Sequence, residues 1–226
     1  MRGSMLRHLT RLPISSRSAV ALQARLRHFS AGQPTTATRA FDEVTALFGR
    51  QGSSDYVGEA VSQIEHALQA AHLATVAGFD SEAILAALLH DCGHMRGLED
   101  PNSARMDDCG IASHEHIGGD WLLSLGFSER VATLVRRHVD AKRYLCCVKP
   151  GYQESLSEAS TVTLRHQGGP MTPSEAAAFE RDELFKTIIA MRHWDEAAKV
   201  PNKSVPDLSS YRNIIEKHVS AQLREE

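Results

Sequence analysis

The sequence predicts an all-α protein, and three observations support this fold class. Apolar residues recur at helical spacing through long segments, of which residues 54–77 are the clearest. Polar capping residues precede these segments, and glycine or proline follows them. No segment alternates between apolar and polar residues over the length of a strand. With 226 residues, 42% of them hydrophobic and 23% charged, the chain is long enough for one domain with a buried core.

The first predicted helices are bounded by residues that favour helix ends. Gly78 follows the apolar segment 54–77 and ends it. Asp80 and Ser81 then begin a second helix, whose apolar side chains continue to residue 89. Glycines and a proline interrupt the chain after this helix, so we expect a polar loop over residues 97–112.

Similar signals divide the second half of the chain. Gly126 ends a third helix, and Ser128 caps a fourth. Thr172 and Glu175 form a capping box, with Pro173 at the first helical position, and open a long helix. In chain order, the predicted helices cover residues 54–77, 81–91, 113–125, 128–145, 155–167, 173–198 and 208–223.

The first 40 residues differ in composition from the rest of the chain. They contain seven arginines, no lysine and no acidic residue, which is typical of a mitochondrial transit peptide. Residues 27–30 also resemble a presequence cleavage site; a disordered basic tail is the alternative. We therefore expect a segment 1–40 that directs the protein to mitochondria, followed by a body at 41–226. Without the seven arginines, the formal net charge changes from −3 to −10, which argues against nucleic acid as a partner.

The cysteine pattern and the hydropathy of the chain predict its redox compartment and whether it contacts a membrane. The four cysteines lack the spacing of a zinc ribbon, and the neighbours Cys146 and Cys147 are poor disulfide partners, so a reducing compartment is expected. No uninterrupted apolar run reaches the roughly 20 residues of a membrane-spanning helix, so we expect no membrane partner. We expect a monomer or a weak dimer.

A histidine and an aspartate directly follow the apolar run of the second helix. His90 and Asp91 are costly to bury unless their polar atoms are compensated. A metal ion would compensate both, because imidazole and carboxylate are standard metal ligands. The alternative is a buried histidine satisfied by ordinary hydrogen bonds.

Other residues of ligand type accompany this pair. Three more histidines lie at steps of 24 residues on either side of His90, and an aspartate lies near the end of the predicted helix 173–198. Six side chains are too many for one tetrahedral zinc and suit two metals that share Asp91. The candidate ligands are His66, His90, Asp91, His114, His138 and Asp195.

These residues and several longer blocks resemble one family, the HD-domain mixed-valent diiron oxygenases that cleave 2-amino-1-hydroxyethylphosphonate and form glycine. The resemblance extends in order from residue 53 to about 220. It is carried by the blocks DYVGEA (55–60), LAALLHD (85–91) with GH (93–94), LGFSERVA (125–132), HV (138–139) with AKRYL (141–145), QGGPM (167–171) and WDE (194–196).

The resemblance implies an HD-domain helical bundle over 41–226 with a dinuclear iron site in its core. One iron would be held by His66, His90, Asp91 and Asp195, and Asp91 would bridge to a second iron held by the remaining two histidines, His114 and His138. The cofactor would be a mixed-valent Fe(II)/Fe(III) pair with O2 as co-substrate.

The resemblance also implies a pocket for a small organophosphonate. Tyr56 would occupy an iron site at rest and leave when substrate arrives, and Glu59, expected on the same helical face, would receive the substrate ammonium. His94 would join both the catalytic and the phosphonate-binding residues. A dianionic phosphonate requires cations and neutral donors. The remaining residues implied for this pocket are Lys142, Ser160, Thr163, Gln167 and Arg192.

The expected reaction is oxidative cleavage of the carbon–phosphorus bond, releasing phosphate together with glycine, or glycine betaine from a trimethylammonium substrate. The sequence leaves the degree of N-methylation open. An HD phosphohydrolase is the main alternative; it would use the same ligands to activate water and would need neither Tyr56 nor Glu59. An inositol-oxygenase-like diiron enzyme and a non-catalytic HD module are further alternatives.

Overall fold

The computed structural model describes residues 36–56 and 58–225. These residues form ten α-helices and two short 3₁₀ turns without a β-strand, which confirms the all-α prediction. The helices are α1 (Ala37–Gln51), α2 (Gln63–Val76), α3 (Ser81–Leu89), α4 (Cys92–Leu98), α5 (His114–Ser124), α6 (Glu129–Val148), α7 (Glu158–His166), α8 (Pro173–Phe179), α9 (Phe185–Ala197) and α10 (Arg212–Glu225).

Helix α3 lies inside the bundle because its residues 83–89 are apolar on every side. Its residues 85–89 are at most 2% exposed. It packs against α2, α6, α9 and α10. The burial of α3 therefore carries the two residues that follow it, His90 and Asp91, into the interior.

The crossing of α4 and α5 is unusually close, and glycine makes it possible. A Cβ atom on Gly93 would lie 1.8 Å from the backbone oxygen of His114 and 2.7 Å from the backbone nitrogen of Gly118. The backbones of the two helices therefore touch at this point, and the contact fixes His114 relative to Asp91. Ser113, just before α5, has a left-handed φ of 57°, which turns the chain into this crossing.

The first predicted helix is shorter than the sequence pattern indicated. Helix α2 begins at Gln63, because Ser62 and Glu65 form a capping box in which each side chain accepts a hydrogen bond from the other residue's backbone N–H. Before it, an isolated bridge between Asp55 and Ser62 closes a turn in which Gly58 has a φ of 78°. The expectation that Tyr56 and Glu59 share a helical face is therefore wrong: both lie on this loop.

Two other boundaries also differ from the prediction. Part of the expected loop 97–112 and the residues before it form helix α4, and the expected long helix 173–198 is divided into α8 and α9. The division occurs at Asp182, whose carboxylate accepts the backbone N–H of Leu184 at 2.7 Å and whose carbonyl accepts that of Phe185 at 3.0 Å.

The first described helix begins at Ala37, before the boundary at residue 40 that was predicted between the transit segment and the body of the protein. Thr36 caps α1 by accepting the backbone N–H of Arg39. The rest of the predicted transit segment, residues 1–35, lies outside the described residues. No helix in the described part of the chain is long and apolar enough to cross a membrane.

Candidate metal centre

Four histidines approach one another in two pairs inside the bundle. His66 on α2 and His90 after α3 have their Nε2 atoms 3.1 Å apart. His114, which begins α5, and His138 on α6 have theirs 3.3 Å apart. All four are at most 7% exposed. Residues far apart in sequence thus meet with the same ring nitrogen facing inward.

The carboxylate of Asp91 lies between the two pairs. Its Oδ2 atom lies 3.3 Å from His90 Nε2 and 3.7 Å from His66 Nε2. Its Oδ1 atom lies 3.4 Å from the Nε2 atoms of both His114 and His138. Each oxygen therefore faces one histidine pair, which is the arrangement of a carboxylate that bridges two metals.

Asp195 on α9 joins the first pair. Its Oδ1 lies 3.5 Å from His66 Nε2, and its Oδ2 accepts a 2.5 Å hydrogen bond from Arg192. The ligand atoms of His66, His90 and Asp195 all lie within 4.8 Å of one another, as do those of a second group formed by Asp91, His94 and His114. The structure thus brings all six predicted ligands together and places His94 beside the second histidine pair.

The outer ring nitrogens show which tautomer the histidines adopt. Nδ1 contacts the backbone oxygen of Ala198 at 3.0 Å in His66, that of Ala87 at 2.9 Å in His90, and that of Val135 at 2.7 Å in His138. A carbonyl oxygen only accepts, so Nδ1 carries a hydrogen in these three rings, and Nε2 of each ring presents a lone pair to the centre when the ring is neutral. Such outer hydrogen bonds are typical of metal-ligating histidines.

Facing Nε2 atoms at about 3 Å need a proton or a metal ion between them. In the first pair, the raised pKa of His90 places a proton there when no metal is bound, and a metal ion would take its place. The fourth histidine, His114, differs in its outer nitrogen. Its Nδ1 lies 3.4 Å from Glu115 Oε2, and neither atom has a hydrogen-bond partner among the described residues. Four imidazoles and two carboxylates with inward lone pairs fit two metal ions better than they fit an ordinary hydrogen-bond network.

The pKa values of these groups without metal reflect the crowding. Burial lowers the pKa of His66 to about 4. Burial opposes protonation of His90 too, but the carboxylate of Asp91 outweighs it and raises the pKa of His90 to about 9. Burial would raise the pKa of Asp91 and Asp195, yet His90 and Arg192 respectively hold both pKa values below the ordinary value. Both carboxylates therefore stay ionised, as metal ligands must.

A cavity of about 190 Å³ opens onto this cluster. Its wall includes four of the six candidate metal ligands, namely Asp91, His114, His138 and Asp195. Every residue predicted for substrate binding also lines it, namely Tyr56, Glu59, His94, Lys142, Ser160, Thr163, Gln167 and Arg192.

Two buried cations mark one region of the cavity. Lys142 is 5% exposed, and its ammonium donates to Thr163 Oγ1 at 2.7 Å. Burial, reinforced by the nearby Arg192, lowers the pKa of Lys142 to about 8. Arg192 is fixed by three partners: Asp195, the Tyr152 hydroxyl at 2.8 Å and Glu196 at 3.1 Å. Asp195 and Glu196 balance the charge of Arg192, whereas Lys142 contacts only neutral oxygen atoms among the described residues and can therefore pair with an anion in the cavity.

His94 faces the cavity as a neutral ring. Its Nδ1 accepts the backbone N–H of Ile111 at 3.0 Å, so Nε2 carries the hydrogen. The ring stacks on His114 with centroids 3.7 Å apart. Burial, followed by the neighbouring His114, holds the pKa of His94 well below its ordinary value. His94 is therefore a hydrogen-bond donor rather than a cation.

Tyr56 lies against the first histidine pair. Its ring stacks on His66 with centroids 3.9 Å apart, and its hydroxyl lies 3.5 Å from Asp195 Oδ1. Burial, followed by the charge of Asp91, raises the pKa of Tyr56 well above its ordinary value in the absence of metal. A cation at the ligand cluster would reverse that effect, since it favours the phenolate.

Two residues of the site were missed at the sequence level. Lys199 lines the cavity and pairs with Glu59, and Tyr152 bonds both Arg192 and Glu196. Neither has a local sequence signal, because Lys199 resembles any lysine after a helix end and Tyr152 follows an ordinary Pro-Gly turn.

The fold and the ligand cluster define the class of protein. A helical bundle that buries histidines around a His-Asp pair is the architecture of the HD domain, and a model of the HD domain matches residues 64–184, just over half of the chain.

Known relatives narrow this class. The chain is 40% identical over 182 residues to the [1-hydroxy-2-(trimethylamino)ethyl]phosphonate dioxygenase (glycine-betaine-forming) of Leisingera caerulea, covering 79% of this chain and 91% of that protein. It is 40% identical over 179 residues to the hydroxymethylphosphonate dioxygenase of Gimesia maris, covering 77% and 87%. An uncharacterised protein of Acanthamoeba polyphaga mimivirus is also 40% identical, over 174 residues that cover 77% and 79%.

The chain therefore belongs to the HD-domain family, and within it to the group of oxygenases that these phosphonate dioxygenases represent. The resemblance seen in the sequence is confirmed, as is the expectation of an oxygenase. The relatives and the histidine–aspartate cluster together indicate a metal cofactor.

Proposed function

We propose that the protein uses O2 to cleave the carbon–phosphorus bond of a small 1-hydroxyphosphonate, releasing phosphate and a carboxylic acid. One hydroxyphosphonic acid and one O2 contain the atoms of one carboxylic acid and one phosphoric acid. Carbon C1 is oxidised and O2 is reduced, so the reaction requires no other reductant. The observation that carries the proposal is a cavity in which a two-metal donor set faces the buried cations Lys142 and Arg192.

We assign the metals as two iron ions. His66, His90 and Asp195 would hold one, His114 and His138 the other, and Asp91 would bridge them. Nitrogen and oxygen donors of this kind suit iron in O2 chemistry. When bound, a mixed-valent Fe(II)/Fe(III) pair supplies the redox chemistry through which O2 reacts.

The chain's own residues then bind and orient the substrate. Lys142, whose ammonium contacts the neutral Thr163 hydroxyl, pairs with the phosphonate. Arg192, whose charge Asp195 and Glu196 already balance, adds N–H donors. Thr163, Ser160 and Gln167 offer neutral polar groups around the phosphonate. His94 donates from Nε2 and stays uncharged, so it adds a directed hydrogen bond without another cation. The Gln167 Oε1 atom has no hydrogen-bond partner among the described residues, and the substrate hydroxyl can supply one.

Tyr56 is assigned the role of a resting ligand. Its hydroxyl lies beside Asp195 and its ring is held against His66, so a small displacement of the side chain would carry it to or from the first metal. Tyr56 would keep the centre closed while it is in place. Its departure when substrate enters would open the centre for the reaction.

The group attached to C1 decides the product. The family resemblance suggests a CH2 group that carries an ammonium or a trimethylammonium, which would give glycine or glycine betaine. The name of the Leisingera caerulea relative describes the trimethylated substrate, and that of the Gimesia maris relative describes one with no such group.

An oxygen and phosphate balance tests the proposal. Protein purified without O2 and loaded with iron is mixed with hydroxymethylphosphonate, 2-amino-1-hydroxyethylphosphonate and its trimethyl analogue, while O2 uptake and phosphate release are followed. The expected result is equal consumption of O2 and release of phosphate. Phosphate released from the phosphonates without O2 uptake, or released only from a panel of nucleotides assayed in parallel, would instead show a phosphohydrolase.

Variants connect the reaction to the cluster. His90→Ala should lose iron and activity because it removes an inward ligand. His116→Ala is the matched control, since that side chain is 65% exposed and does not line the cavity. Equal losses in both variants would contradict the assignment.

We also propose that residues 1–40 direct the protein to mitochondria. A fluorescent protein fused after residue 40 should enter mitochondria, and a fusion in which the seven arginines are replaced by glutamine should not. Cytosolic fluorescence from the first fusion would contradict the proposal.

A further inference from the structure

Glu59, the cavity residue expected to receive a substrate cation, already holds one from the chain itself. The Nζ atom of Lys199 lies 2.6 Å from Glu59 Oε1. The two side chains are only 19% and 18% exposed. The same ammonium lies 5.6 Å from the ring centroid of Tyr56, within the range of a cation–π contact.

The backbone on both sides of Lys199 is fixed to the site. The carbonyl of Ala198 accepts the Nδ1 hydrogen of the metal-ligand candidate His66. Val200 forms two hydrogen bonds with the fully buried side chain of Gln69, at 2.9 and 3.1 Å. Lys199 is therefore held in place beside the centre and does not behave as a freely moving surface lysine.

The other carboxylates of the cavity leave Glu59 as the place for a cation. Asp91 and Asp195 face the histidines, and Asp55 and Asp108 are exposed to solvent. Glu59 is the partly buried carboxylate that remains among those lining the cavity. A substrate ammonium that bound Glu59 would replace one cation by another and leave the Lys199 ammonium without its partner, so the exchange would bring little gain.

We propose that Lys199 determines substrate specificity by supplying the cation that Glu59 requires. The enzyme then favours 1-hydroxyphosphonates with an uncharged group at C1, such as hydroxymethylphosphonate, over those with an ammonium at C2. This inference rests on the proposed function and narrows its substrate class away from the ammonium substrates suggested by the sequence resemblance.

The test compares four proteins: the native chain, Lys199→Met, Lys199→Arg and Lys186→Met. Lys186 is exposed and does not line the cavity, so its variant controls for the loss of one positive charge. Dissociation constants for hydroxymethylphosphonate and 2-amino-1-hydroxyethylphosphonate are measured by calorimetry on iron-loaded protein without O2, and kcat/KM is measured with O2.

The native protein should bind hydroxymethylphosphonate about tenfold or more tightly than 2-amino-1-hydroxyethylphosphonate, and should cleave it with a kcat/KM higher by a similar factor. Lys199→Met should shift the ratio towards the amino substrate by about tenfold, because it frees Glu59 for the substrate ammonium. Lys199→Arg and Lys186→Met should keep the native preference. Lys199→Arg thus separates the charge of the side chain from its role in packing.

Several results would overturn the inference. It would be overturned if the native protein preferred the amino substrate, or if Lys199→Met left the ratio of kcat/KM for the two substrates unchanged. A change of that ratio in Lys186→Met equal to that in Lys199→Met would overturn it as well. Failure of the proposed function gives a different pattern: neither phosphonate is cleaved with O2 uptake, although the order of the dissociation constants still reports on Lys199. Absence of phosphonate binding altogether would overturn both.

Discussion

Replacing Gly93 with alanine should separate helix α4, which directly follows Asp91, from helix α5, which begins with His114. The added Cβ would lie 1.8 Å from the backbone oxygen of His114, whereas real contacts of this kind are not shorter than 3.0 Å. Helices α4 and α5 must therefore move apart by at least about 1.2 Å. Neither contact atom belongs to a flexible side chain, so the backbone itself has to shift.

The expected effect is a loss of both stability and metal. Overpacking of this kind destabilises by about 1–3 kcal/mol, occasionally more. A shift of an ångström between Asp91 and His114 also exceeds the roughly 0.2 Å tolerance of metal–ligand distances. We therefore expect Gly93→Ala to unfold at lower urea concentration and to bind less than the native amount of iron.

The assay is urea denaturation of the metal-free protein, together with iron analysis of the loaded protein. Gly49→Ala is the matched control, because a Cβ there meets no atom within 4 Å. Alanine also favours the helix that contains Gly49, so this variant should be as stable as the native protein or more stable. If Gly93→Ala were as stable as Gly49→Ala and bound iron fully, the close crossing would not position the centre.

Two further predictions concern the substrate cavity. The pKa of Lys142 is lowered to about 8, so its positive charge is present below that pH and is lost as the pH rises through it; phosphonate affinity, measured by calorimetry, should therefore weaken above pH 8, and Lys142→Arg should move this decline to higher pH. An affinity independent of pH between 7 and 9.5 would contradict a role for Lys142 in binding the anion. Tyr56→Phe should retain iron but change the optical spectrum of the resting enzyme, since it removes the hydroxyl beside Asp195; a spectrum identical to that of the native protein would show that Tyr56 is not a resting ligand.

The ligand cluster could be predicted from sequence because its signal is local. His90 and Asp91 follow a run of apolar residues, and a buried His-Asp pair requires compensation wherever the chain folds. The equal spacing of the other histidines also reflects the lengths of helices and turns. Their pairing and the central place of Asp91, however, depend on the bundle and appear only in three dimensions.

The boundaries of α4 were not predicted because glycine can either end a helix or allow close packing within one. Gly93 and Gly97 suggested a loop, but both lie in helix α4, where they allow close contact with His114 and Ile111. At the start of α2 the apolar spacing continued backwards through Val61, and the capping box at Ser62 with Glu65 was the signal that should have set the boundary. Tyr56 and Glu59 consequently lie on the loop before α2 and not on one helical face.

Lys199 shows what sequence reasoning could not reach. Its contact with Glu59 joins residues 140 positions apart. No pattern around either residue indicates that an internal lysine neutralises the carboxylate. The proposed substrate class therefore depends on a tertiary ion pair, whereas the metal-ligand residues could be recognised in the sequence.

The bridging role of Asp91 is the central claim, and iron content tests it most directly. The native protein should contain two irons per chain, and Asp91→Ala should contain one or none, because each oxygen of this carboxylate faces a different histidine pair. Asp108→Ala, which removes an exposed carboxylate of the same cavity, should keep both irons. Two irons retained in Asp91→Ala would contradict the dinuclear assignment.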